Sequence, residues 1–160
     1  MLDAIVAVYA DWGIGAKGTQ PVVIKADRRR FRELTEGAAV IVGRKTMADF
    51  PGGKPLKNRA NIVLTRQNLL IEDAETADSV GAALKLAASH SRVFVIGGES
   101  VYKALLPHIG RIYATKIDLA PHSDVFFPNL DEDPVWRVAE AEEEAEENGV
   151  RYRFLTYERV

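Results

Sequence analysis

The chain has 160 residues, a formal net charge of −2 and no cysteine. That length builds one domain, residues 1–160, with its own core. The missing cysteines exclude disulfides, thiolate nucleophiles and cysteine-based zinc sites, and the charge balance points away from nucleic acid and membrane surfaces. No apolar run approaches the roughly 18 residues of a membrane span. Met1-Leu2-Asp3-Ala4-Ile5 lacks the basic start and cleavage site of a signal peptide, so the cytoplasm is the expected location.

Ala4–Ala10 is a near-continuous apolar run, the pattern of a central strand buried on both faces. Residues 11–21 hold three glycines and a proline, too much irregular backbone for a plain connection. Such a stretch is either a surface excursion or a lid. Trp12 and Ile14, costly to leave in water, favour the lid. A helix follows in which Asp27 occupies the first turn and Gly37 the C-cap. Asp27, Phe31 and Leu34 share one stripe at helical spacing, whereas Arg29, Arg30 and Glu33 are expected mostly on the other side. Asp27 then either complements the helix dipole or points inward.

Further strands are expected at Ala38–Val42, Ala60–Arg66, Arg92–Ile96 and Arg111–Asp118, with a short apolar piece at Val125–Pro128. Ser79 caps an amphipathic helix to Ser89, and another helix runs from Val101 to Leu106. Trp136–Glu142 and Val150–Arg159 read as strands joined through Asn148-Gly149, a strong hairpin signal. The acidic run 142–147 is read as a solvated hairpin arm, although propensity alone also allows a helix. The fold class is therefore α/β: a mixed, mainly parallel twisted sheet with helices on both faces and a C-terminal antiparallel hairpin.

Three strands end in Gly43-Arg44-Lys45-Thr46, Thr65-Arg66 and Gly97-Gly98-Glu99-Ser100. Ligands of open α/β sheets bind outside the carboxyl ends of strands, where glycines let backbone approach a pyrophosphate. Neither the Walker sequence nor a G-x-G-x-x-G turn is expected, so neither standard nucleotide fingerprint supports the site. Arg44, Lys45 and Arg66 nevertheless suit a dinucleotide with an extra phosphate, because arginine matches phosphate geometry. That favours NADP(H) over NAD(H). His90, His108 and His122 lack ligand spacing, so no metal is expected.

With these residues in order, the chain resembles the dihydrofolate reductase family over essentially its whole length. The matching pieces are Ala4–Ala10, Gly13-Ile14-Gly15, Pro21 with Ala26-Asp27 and Phe31, Val42 to Thr46, Pro55-Leu56 with Arg59, Asn61 to Arg66, Val95 to Gly98 with Tyr102, Thr115-Lys116-Ile117, and Phe127-Pro128. The resemblance implies NADPH-dependent reduction of 7,8-dihydrofolate to 5,6,7,8-tetrahydrofolate, in support of one-carbon metabolism and thymidylate synthesis. It implies that Asp27, bonded by Thr115, grips the 2-amino group and ring N–H of the pterin. The substrate side would include the carbonyls of Ile5 and Ile96, the ring of Phe31, Leu56 beside the benzoyl group, Arg59 on the α-carboxylate, and Tyr102. The cofactor side would include Ala7, Ile14 and Gly15, then Gly43, Arg44, Lys45 and Thr46, then Thr65 and Arg66, and finally Gly97, Gly98, Ser100 and Val101. Antifolate inhibitors, a monomeric state, and no nucleic-acid or membrane partner are implied as well.

Hydride would pass to pterin C6 while water carries a proton to N5, with an apparent pKa of about 6 to 7 for the acid. Three positions depart from the family pattern: Val22 where tryptophan is usual, Lys25 where proline is common, and Arg28 in place of an apolar residue. Arg28 either stays in solvent or reaches toward the glutamate tail beside Arg59. Two rivals share parts of this pattern: the pyrimidine reductase of riboflavin synthesis, and a non-catalytic pterin- or dinucleotide-binding module. Neither accounts for Asp27, Thr115 and Arg59 together.

Overall fold

The computed structural model describes residues 2–16 and 20–160. Met1 and the Lys17-Gly18-Thr19 part of the expected lid lie outside the described residues. The strands are β1 (Leu2–Tyr9), β2 (Gly13–Gly15), β3 (Ala39–Gly43), β4 (Ala60–Leu64), β5 (Ala74–Ala77), β6 (Val93–Gly97), β7 (Ile109–Ile117), β8 (Val125–Phe126), β9 (Trp136–Ala141), β10 (Ala145–Glu147) and β11 (Val150–Arg159). The helices are α1 (Lys25–Thr35), α2 (Arg44–Ala48), α3 (Val80–Ala87) and α4 (Glu99–Leu105).

Among the described residues, nine strands form one sheet in the order β10-β11-β7-β1-β6-β3-β4-β5, with β9 paired to β11. Strands β7 to β5 are mutually parallel, and β11 runs antiparallel to β7, β9 and β10. The first strand is central, as its two-faced burial requires. Alternation along the strands makes two cores. Ala4, Val6 and Val8 with Ile41, Ile62 and Val95 pack on the side of α3 and α4. Ile5, Val40 and Phe94 meet Phe31 and Leu34 of α1 on the other. Helices therefore cover both faces.

Local chemistry sets the element ends. Ser79 Oγ accepts from Ala82 N at 3.0 Å, the expected N-cap of α3. Gly37 follows α1 at φ +77°, where a Cβ is disfavoured. Asn148 and Gly149 both have positive φ, 51° and 80°, as a two-residue hairpin turn of type I′ demands. The strand expected to reach Arg66 stops at Leu64, so Thr65 and Arg66 sit just past its end.

Three expectations need correction. The acidic run does form a hairpin arm, with β10 pairing to β11, but Glu147 is more than a solvated charge. Its carboxylate accepts from Lys25 N at 2.6 Å and Ala26 N at 3.2 Å, and so caps α1, whose own N-cap residue Ile24 has no side chain able to do so. Arg30 does not lie on the outer side of α1: it is half-buried, and three residues after Asp27 it shares the inward stripe. Gly13-Ile14-Gly15-Ala16-Lys17-Gly18 does carry G-x-G-x-x-G spacing. Yet Gly13–Gly15 form a strand paired to β8, whereas the dinucleotide fingerprint opens a helix.

Candidate active site

β1 pairs with β7 over residues 2–9, but its pairing with β6 covers only Asp3 and Ala4. Beyond Ala4 the two neighbours part and leave a slot at the carboxyl end of the sheet. This is where the chain order reverses direction across the sheet, the position at which α/β folds bind ligands. A cleft of about 630 Å³ occupies it. Ile5, Ala7 and Ile96 form its floor, Asp27 and Phe31 of α1 one wall, Gly97, Gly98 and Tyr102 the other. Ile14 and Gly15 close one side, and Lys45 and Thr46 lie at its far end.

Asp27 Oδ1 accepts a 2.6 Å hydrogen bond from Thr115 Oγ1 on β7. Thr115 is only 1% exposed, so this donor is fixed before any ligand arrives. Burial pushes the Asp27 carboxyl above the ordinary aspartate range, against the opposing pull of the Thr115 bond and of the Arg30 and Arg28 charges. A carboxyl raised above its ordinary range on the wall of a cleft suits proton chemistry.

Backbone acceptors on the floor are already engaged. Tyr102, fully buried, donates its hydroxyl to Ile5 O at 2.7 Å, and burial drives its pKa well above the usual phenol value. Gln20 Nε2 donates to Ala7 O at 3.1 Å. Both leave a lone pair on the carbonyl.

The described part of the loop expected to form a lid is anchored. Trp12, 4% exposed despite φ +66°, packs on Phe127 and Tyr157. Lys116 Nζ stands 4.6 Å over its ring. Asp124 N donates to Gly15 O at 3.0 Å, and Glu99 Oε2 accepts from Phe126 N at 2.7 Å. The β2–β8 pair is thereby tied to the start of α4.

Glycine is required where the wall turns. Gly97 adopts φ +122°, and a Cβ on Gly98 would lie 2.9 Å from Thr46 Oγ1. A Cβ on Gly43 would press on Val101 at 3.1 Å. The wall between α2 and α4 is thus a narrow cradle for a slender group.

Several anticipated residues lie off the cleft lining. Leu56 and Arg59 sit on the loop after α2, held by buried Asn61, whose Nδ2 donates to Leu56 O at 2.8 Å and Arg59 O at 3.1 Å, while its Oδ1 accepts from Leu56 N at 3.1 Å. The Arg59 guanidinium is steadied by Thr35 Oγ1, Lys57 O and Arg32 O. Arg44 opens α2, Thr65 and Arg66 follow β4, and Ser100 and Val101 belong to the first turn of α4. Sequence reasoning assigned no role to Gln20, Arg30, Asn61 or Glu99. A polar Asn61 inside an apolar strand was a usable signal, and Gln20 offered none.

The dihydrofolate reductase family profile matches residues 1–159. The chain belongs to the dihydrofolate reductase family. The dihydrofolate reductase of Staphylococcus haemolyticus is 36% identical over 162 residues, covering 99% of this chain and 96% of that one. That of Neisseria meningitidis serogroup B is 38% identical over 158 residues, covering 98% and 96%. Among solved structures, the Enterococcus faecalis dihydrofolate reductase complexed with NADP(H) and RAB-propyl superposes with a TM-score of 0.88 at 32% identity, over 99% of this chain and 96% of that one. As a dihydrofolate reductase family member the chain is an oxidoreductase. No helix among the described residues is long and apolar enough to cross a membrane.

Proposed function

We propose that this chain reduces 7,8-dihydrofolate to 5,6,7,8-tetrahydrofolate with NADPH, as a cytoplasmic, monomeric enzyme open to antifolate inhibition. The observation that carries the reading is the half-buried Asp27 bonded to buried Thr115 on the wall of a cleft at the sheet's switch point.

The cleft fits both molecules. The Gly43, Gly97 and Gly98 cradle leaves room for a pyrophosphate, flanked by Thr46 and by the starts of α2 and α4, which carry no side-chain caps. Arg44, Lys45, Thr65 and Arg66 would hold the 2′-phosphate end, Ser100 and Val101 the diphosphate, and Ala7, Ile14 and Gly15 the nicotinamide carboxamide. Bound there, NADPH supplies the hydride.

The chain's own residues do the rest. Ionised, Asp27 accepts from the 2-amino group and ring N–H of the pterin, held in register by Thr115. Protonated, it is the reserve from which water carries a proton to N5. Phe31 stacks on the rings, Leu56 borders the benzoyl group, and Arg59 pairs with the α-carboxylate. The Ile5 and Ile96 carbonyls present acceptors to a 4-amino group, and Tyr102 orients the first of them. The β2–β8 pair beside the cleft excludes water around the reacting rings.

The test is NADPH consumption, followed at about 340 nm. Oxidation that requires dihydrofolate and stops with a diaminopyrimidine is the expected result. Oxidation indifferent to dihydrofolate would favour a different reductase.

A further inference from the structure

Three consecutive arginines follow Asp27, and they behave differently. Arg28 and Arg29 are exposed, whereas Arg30 turns under α1. Its guanidinium carbon lies 4.4 Å from the centroid of Phe154 and 5.5 Å from that of Tyr113. Phe154 of β11 is the register partner of Thr115 on β7, the residue bonded to Asp27. The charge is therefore stacked on the ring next to the hydroxyl that positions the acid. Aromatic faces hold a cation without quenching it as a carboxylate would.

Among the described residues, Arg30 has no carboxylate in direct contact, and its buried Nη1 has no hydrogen-bond partner. Its charge interacts at longer range with Glu142 and Glu140 from the β9 side, with Asp27, and with Tyr113 of β7. Around Asp27 the charged or titratable groups are Arg28 and Arg30 on its own helix, Tyr102 of α4 across the cleft, and Glu147 of β10 at the helix start. Of these, Arg30 combines a positive charge with a half-buried position fixed by the two rings. Arg28 also lines the cleft but is exposed, so solvent screens its charge.

We propose that Arg30 is a positioning residue: its cation, stacked on the ring beside Thr115 and three residues on from Asp27 along one helix face, stabilises the Asp27 carboxylate. The consequence for turnover rests on the reading of Asp27 as the proton reserve; the effect on Asp27 itself does not. Without this charge the acid would keep its proton to higher pH, and the alkaline decline of activity would move upward with it.

The test follows the Asp27 carboxyl by carbon-13 NMR in the ligand-free enzyme, its signal assigned by its loss in Asp27→Asn. Arg30→Met and Arg30→Tyr both remove the charge, the second also refilling the aromatic stack. Each is expected to raise the Asp27 titration midpoint by about half to one pH unit. Arg30→Lys keeps the charge and is expected to restore most of the wild-type midpoint. The alkaline limb of the turnover profile should move in parallel, with KM for dihydrofolate little changed. An unmoved midpoint in either folded neutral variant, alongside a lower Tm, overturns the proposal and leaves Arg30 as packing. A raised midpoint with an unmoved turnover limb upholds the coupling and contradicts the role given to Asp27.

Discussion

Asp27 is held in place at a thermodynamic cost. Its protonated form is comfortable in the cleft, but ionisation under α1 is opposed by desolvation. Its folded pKa lies above the unfolded one, so its contribution to stability is fully present below the unfolded value of roughly 3.9 and declines as pH rises through the folded value. Asp27→Asn keeps an acceptor for Thr115 and removes that penalty. The ligand-free variant should therefore melt higher than wild type at neutral pH, with the gap closing on acidification. Equal Tm values at both pH extremes would show that the carboxyl is not desolvated. The inward stripe of Asp27, Phe31 and Leu34 was legible from spacing alone. Arg30 lies on that same stripe, three residues on, but its place in an arginine run suggested a solvated face. What turns it inward is Tyr113 and Phe154, residues far along the chain that no local window contains.

The helix that presents Asp27 is fastened from a distance. Glu147 reaches back from β10 to the first two N–H groups of α1, across 122 and 121 residues of sequence. Glu147→Ala should cost about 1 kcal/mol, in the range of a lost N-cap, and lower Tm by roughly 2–4 °C for a chain of this size. Glu147→Gln, which retains acceptor oxygen, should lose less, and calorimetry separates the two. An unchanged Tm in the alanine variant would mean water replaces the cap. Strands β1, β3, β4 and β6 could be read from sequence because burial on both faces leaves a near-continuous apolar run, broken in β4 by Asn61. Strand β5, Ala-Glu-Thr-Ala, could not: it is an edge strand whose order comes from pairing with β4. The three residues of β10 were legible as part of a hairpin arm through the Asn148-Gly149 turn, which sets their register with β11; the capping reach of Glu147 was not.

At the scale of the whole molecule, the site exists because β1 and β6 separate after Ala4, and α1, α4 and the β2–β8 lid surround the gap. Glycines at the strand ends made the cofactor side legible, while the separation itself depends on register between strands and has no sequence signal. If Arg44 and Arg66 hold a 2′-phosphate, replacing either with leucine should weaken NADPH by roughly 1.5–3 kcal/mol per lost charge-assisted bond and affect NADH little. Equal losses for both cofactors, measured by titration, would remove that assignment. The most direct trial of the account is dihydrofolate turnover by Asp27→Asn, measured against wild type from acid to alkaline pH. The account predicts a loss of roughly 10²–10⁴-fold near neutrality and disappearance of the wild-type pH dependence; near-complete activity with an unaltered profile would contradict it.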